Sequence, residues 1–116
     1  MSEHLKTGFH GEALAANFLV EKGFEVVAKN YRYKHAEIDL ILKRDNLLVF
    51  VEVKTRKSSG FGEPESFVSS KKAAKIFEGA EQFIFDNNWN GNIRFDIVSV
   101  KLADTPVIEH FEVALH

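Results

Sequence analysis

The sequence predicts an α/β protein in which a mixed β-sheet is flanked by two helices, in the order α-β-β-β-α-β-β. Three observations lead there. Two stretches repeat apolar residues at helical spacing, and five shorter stretches are rich in Val, Ile and Phe. The first three of those strands precede the second helix, so that helix has to act as a crossover into another strand. A chain of 116 residues, 45% hydrophobic and 28% charged, fits one globular domain spanning 1–116.

Residues 3–22 read as the first helix, ended by Gly23. Phe9, Ala13, Ala16, Leu19 and Val20 define its inward stripe, with Leu14 and Phe18 on the far side. Glu12 falls inside that stripe, three residues after Phe9 and four before Ala16, an odd place for a carboxylate. Three strands follow at Phe24 to Tyr33, Glu37 to Lys43 and Leu47 to Thr55. The polar stretch Lys43-Arg44-Asp45-Asn46 makes a hairpin of the last two. Lys57 to Pro64 reads as a loop directly after the most apolar strand, where binding groups often sit. Ser69 or Ser70 caps a second helix running to about Asn87. Its stripe of Ala73, Ile76, Phe77, Ala80, Phe83 and Ile84 is the clearest helix signal in the chain. Trp89 is expected to cap the end of that helix. Ile93 to Lys101 and Val107 to Leu115 complete the sheet.

Composition excludes several classes. The longest apolar run, Leu47 to Val51, is five residues, against roughly 18 for a spanning helix, so no membrane span is expected. The N-terminus lacks the basic and apolar regions of a secretory signal. No cysteine is present, which excludes disulfides and thiolate zinc sites and suits a reducing cytoplasm. Net charge is −2, but Lys29 to Lys75 holds eleven Lys/Arg against six Asp/Glu, while both flanks are acidic. A basic middle is compatible with a phosphate-bearing partner, and equally with charges spread over a solvated surface.

The strand Val49-Phe50-Val51-Glu52-Val53-Lys54 carries the chemistry. Alternation puts Glu52 and Lys54 on the face shared with Leu48 and Phe50, so that face is partly covered. Charges on such a face need partners. Glu52 and Lys54 could satisfy each other, or they could serve an ion. If the hairpin loop has an even number of residues, Asp39 faces the same way. A four-residue loop opposes it to Phe50, and the two-residue loop Asp45-Asn46 opposes it to Glu52; an odd loop turns it away. Glu37 shares the face of Asp39. Carboxylates clustered beside one lysine invite a divalent cation, and all-oxygen ligands favour Mg²⁺ or Mn²⁺. Such a site suits phosphodiester chemistry better than acyl transfer, since no Ser–His or Cys–His pair suggests itself.

Asp39 followed by Glu52-Val53-Lys54 resembles the D…(D/E)-x-K signature of restriction-endonuclease-like nucleases. The chain as a whole resembles the YraN family of small bacterial proteins, similar in pattern to Holliday-junction resolvases. The matching stretches are Gly8-Phe9-His10-Gly11-Glu12, Glu37-Ile38-Asp39-Leu40-Ile41, Phe50 to Arg56, Lys71, and Arg94-Phe95-Asp96. The resemblance implies that Asp39 and Glu52 ligate the metal and that Lys54 serves the attacking water. It also implies that Glu12 is the helix carboxylate that resolvase-like enzymes add to the site; the alternative is a boundary acid paired with a nearby lysine. Ile38 stands where the wider signature has proline. Resolvase-like relatives act as dimers, and the last strand could pair with a copy of itself if exposed.

Arg56 and Lys57, just past the catalytic strand, are candidate phosphate contacts. Lys71 and Lys72 lie in the first turn of the second helix, where the macrodipole disfavours cations; either they meet an anion or solvent screens them. Arg32, between Tyr31 and Tyr33, could present a guanidinium beside a stacking ring, though aromatics in strands more often pack. Arg94 and Asp96 share a face and are expected to form a structural ion pair. The five histidines show no metal-ligand spacing. Two functions follow as expectations: a metal-dependent nuclease acting on nucleic acid, DNA before RNA, or a non-catalytic nucleic-acid- or protein-binding module retaining the fold.

Overall fold

The chain folds in the expected order: α1 (Glu3–Glu21), β1 (Glu25–Tyr33), β2 (Ala36–Arg44), β3 (Leu47–Lys57), α2 (Ser70–Asp86), β4 (Asn92–Leu102) and β5 (Val107–Val113). This computed structural model describes residues 3–57 and 70–113, with side chains described for 10–57 and 71–113. Apart from Lys57, the expected loop to Pro64 lies outside the described residues. So do the side chains of Phe9, Ser69 and Ser70 and the last residues of the expected final strand.

The five strands form one sheet in the order β1-β2-β3-β4-β5. All neighbours are antiparallel except β3 and β4, which run parallel and are joined through α2. The β2–β3 hairpin pairs Arg44 with Leu47, so its loop is the two residues Asp45-Asn46. Asp45 has φ 54°, a left-handed conformation that Asp tolerates better than most residues. Asn46 then accepts a hydrogen bond through its carbonyl from the Asn92 amide at 2.8 Å, tying the loop to the start of β4.

Both sheet faces are covered. Ala15, Ala16 and Leu19 of α1 pack on Leu40, Leu42, Val49, Val51, Val53, Val98 and Val100. Ala80 and Phe83 of α2 pack on Ile38, Ile41, Leu48 and Phe50, with Ile76, Ile84 and Trp89 at the border. Each large apolar side chain so buried contributes roughly 1.5–3 kcal/mol. The α2 stripe is the one read from the sequence. The α1 stripe is so only in part: Ala16 and Leu19 are buried, but Ala13 is exposed and Val20 is 49% exposed, and Ala15 is fully buried instead. The helix is rotated because it sits on its smallest residues. A Cβ on Gly11 would come within 1.8 Å of Thr55 Oγ1, so Gly11 permits a contact that a larger residue would block. Leu14 and Phe18 are half-buried along the same flank.

Trp89 closes α2 as expected: its amide donates to the Ile84 carbonyl at 3.0 Å and its indole N–H to the Asn92 carbonyl at 2.9 Å. Among the described residues no helix is long and apolar enough to cross a membrane.

Candidate functional site

The site begins where the β2–β3 ladder ends. The last paired residues are Leu40 and Val51. One further step of the same register would oppose Asp39 to Glu52. Instead the Val53 amide donates to Asp39 Oδ2 at 2.8 Å. A side-chain carboxylate thus takes the place of a strand carbonyl, and beyond it lies a cleft of about 540 Å³. Glu37, Asp39, Glu52, Lys71, Lys72 and Lys75 line that cleft. The strand alternation brings the two acids together, and the N-terminal turn of α2 brings the lysines over them.

Glu52 is 9% exposed and holds two cations on one oxygen. The Lys72 ammonium hydrogen-bonds Oε1, and Lys54 Nζ lies 3.3 Å from the same atom. Lys54 and Lys72 also share a hydrogen bond. Desolvation and the bond from Lys72 lower the Lys54 pKa against the pull of Glu52. Lys72 goes the other way: its bonds to Glu52 and Lys54 outweigh desolvation and raise its pKa.

Asp39 is pushed up to about 7, first by burial and then by the Glu52 charge, which together outweigh the Val53 bond and the pull of Lys72. Glu12 is half-buried, on α1, and close enough to raise the Asp39 value further. Its own pKa is raised by desolvation and by Glu37 and Glu52, against a hydrogen bond with Asn30 and the charge of Lys29. Asn30 has φ 51° in mid-strand, flanked by the pairs Lys29–Leu40 and Tyr31–Ile38, which sets it opposite Asp39.

Glu12, Asp39 and Glu52 therefore belong to one electrostatic cluster, although among the described residues no three carboxylates or imidazoles already stand as a coordination shell. The donor set fits a hard divalent cation. Asp39 is a half-buried acid repelled by Glu52 and Glu12, and a bound cation would relieve that cost.

The remaining candidates divide. Lys71 and Lys72 line the cleft, and Lys75, which the sequence reading left out, joins them one turn on. Arg56 is half-buried on the strand face of Glu52 and Lys54, and Lys57 is exposed at the strand end. Arg32 is exposed and pairs with Glu37 at 3.5 Å. Tyr31 packs edge-on against Phe83 with centroids 5.3 Å apart, so it belongs to the core. Asn30, Lys75 and the Lys72–Glu52 bond carry no motif; a left-handed Asn in a strand and a lysine aimed across a helix–sheet junction become visible only in three dimensions.

Arg94 and Asp96 form the expected ion pair, with two contacts of 2.9 Å. His110 adds a third, Nε2 to Asp96 Oδ2 at 2.6 Å, and Lys22 Nζ meets His110 Nδ1 at 3.0 Å. Lysine can only donate, so Nδ1 accepts and Nε2 carries the proton given to Asp96. Asp96 pairs with Val51 in the parallel register, so it lies on the α1 face, opposite Glu52.

Residues 11–100 match the model of a family described as uncharacterised protein family UPF0102. A UPF0102 protein of Cytophaga hutchinsonii is 45% identical over 105 residues, covering 90% of this chain and 93% of the relative. One from Flavobacterium psychrophilum is 40% identical over 117 residues, covering 100% and 98%. One from Clostridioides difficile is 45% identical over 98 residues, covering 84% and 86%. With residues 11–100 matched by the family model and relatives matched over most of their length, this chain belongs to the uncharacterised family UPF0102.

Proposed function

We propose that the protein is a metal-dependent nuclease of the restriction-endonuclease-like type, hydrolysing phosphodiester bonds in DNA, with branched or structured DNA as the preferred form. The observation that carries this reading is the shared cleft: Asp39 and Glu52 beside Lys54, roofed by Lys71, Lys72 and Lys75. Asp39 and Glu52, with Glu12 as a third carboxylate, would hold Mg²⁺ or Mn²⁺. When bound, the ion would activate water and stabilise charge on the phosphoryl group. Lys54 carries the lowered pKa that suits an amine aligning that water and accepting its proton. The cleft lysines would supply contacts for the phosphate backbone, with Arg56, Lys57 and Arg32 as further candidates. The proposal includes a cytoplasmic location, and it leaves room for a homodimer that sets two sites on two strands.

The test is cleavage of a synthetic four-way DNA junction with Mn²⁺, comparing wild type with Lys54→Ala. The nuclease reading expects cutting by wild type and a loss of about 10²–10⁴-fold in the variant. Equal cutting by both would remove Lys54 from the chemistry.

The second reading, a binding module that keeps the fold, draws on the Lys72–Glu52 bond, which satisfies the buried acid without any metal. Its mark is Lys71- and Lys75-dependent binding of junction DNA with no turnover in Mg²⁺ or Mn²⁺.

A further inference from the structure

Lys72 holds the acid that a metal would need. Glu52 is almost fully enclosed, and its Oε1 is bonded by the Lys72 ammonium that reaches down from the first turns of α2. Lys54 approaches the same oxygen from the neighbouring position on the strand, at 3.3 Å. A cation entering between Asp39 and Glu52 would meet Lys72 already there.

We propose that Lys72 is a built-in counter-ion that occupies the carboxylate cluster in the metal-free protein and is displaced when a divalent cation binds. This inference rests on the metal site proposed above and names how that site is regulated.

Three features make the exchange workable. The charge is supplied by a flexible four-carbon arm, not by a fixed guanidinium, so it can leave without disturbing the strand. Lys72 is 38% exposed, against 9% for Glu52, so the ammonium has an open side to leave by. That side is the cleft already lined by Lys71 and Lys75, where a displaced ammonium becomes a third cation for a phosphate. Metal entry and substrate backbone binding are then linked: the ion that fills the acidic cluster also releases a positive charge into the groove. Linkage requires the reverse effect, so a polyanion in the cleft strengthens metal binding.

The measurement is a Mn²⁺ titration followed by electron paramagnetic resonance at pH 8, on full-length wild type, Lys72→Met, Lys72→Arg and Asp39→Asn. Circular dichroism on each first establishes the fold. Displacement of a charge-assisted hydrogen bond predicts that Lys72→Met binds Mn²⁺ about tenfold more tightly or better. Lys72→Arg, which keeps the competing charge, stays at or below wild-type affinity. The metal-free Lys72→Met protein also melts below wild type, and Mn²⁺ raises its Tm by more than it raises the wild-type value. Wild type and Lys72→Met binding Mn²⁺ equally, both dependent on Asp39, would leave the metal site standing and overturn the counter-ion. Absence of Asp39-dependent binding in every variant would overturn both.

Discussion

Two desolvated aspartates, Asp96 on β4 and Asp39 on β2 of the same sheet, are treated in opposite ways. Asp96, on the α1 face, is desolvated, yet its pKa is lowered because His110 and Arg94 saturate it with hydrogen bonds and charge. Asp39, just past the end of the β2–β3 ladder, is also desolvated, and its value rises to about 7 because burial is reinforced by its largest charged influence, another carboxylate. Burial is common to both; what differs is the company. A saturated acid stabilises a fold, and an acid surrounded by its own kind is costly to keep unless something else binds there.

The sharpest way to break the contrast is to remove the saturated acid. Asp96→Ala strands Arg94 and His110 around an empty position, and a destabilisation of about 3–5 kcal/mol is expected from urea unfolding. A loss below 1 kcal/mol would mean the network is ornamental. Asp39→Asn should do the reverse. The amide keeps an oxygen for the Val53 N–H and discards the repelled charge, so the metal-free protein gains on the order of 1–3 kcal/mol at pH 8. The sign follows from the raised pKa: between the unfolded value near 3.8 and about 7, the folded state binds the extra proton. Wild-type stability at this position thus falls as pH rises through 7, and the advantage of Asn should shrink towards zero by pH 4. A gain that stays constant from pH 4 to 8 would show that Asp39 is not the strained group.

Gly11→Ala tests how the helix carboxylate reaches the cluster. Its new methyl meets Thr55, so about 1–3 kcal/mol of destabilisation is expected, partly restored when Thr55→Ala is added, because the Thr55 Cβ still lies 2.7 Å from the new methyl. Additive losses in the double mutant would mean the two positions do not touch. The smallest effect belongs to the rim. Glu78→Gln removes an exposed pair with Lys34 at 3.9 Å and should change stability by less than about 0.5 kcal/mol.

The comparison also marks what could be read from the sequence. Alternation along β3 put Glu52 and Lys54 on the α2 face, and an even hairpin loop was enough to bring Asp39 beside them; Asp45-Asn46 supplies it. The α2 stripe was equally plain because six apolar residues hold one period. The rotation of α1 was not, because Gly11, Ala13, Ala15 and Ala16 are too alike in hydropathy for periodicity to choose among them. Contact distance chose instead. Lys22 and His110 are 88 positions apart, and the Lys72–Glu52 bond depends on how a helix is set across a sheet. Such pairings carry no local spacing, so no pattern along the chain records them. The Arg94–Asp96 pair was visible only because i and i+2 on a strand are neighbours.

The bond from Val53 to Asp39 gives position 39 two employers. One is the chemistry proposed for the cleft; the other is the sheet, which uses the same oxygen to finish a strand. A descendant freed from the chemistry would still be selected for folding, and folding asks only for an acceptor of that length. Decay of function in this lineage should therefore pass through asparagine at position 39 rather than alanine, leaving an inactive member whose backbone is unchanged and whose fold is, if anything, the more durable.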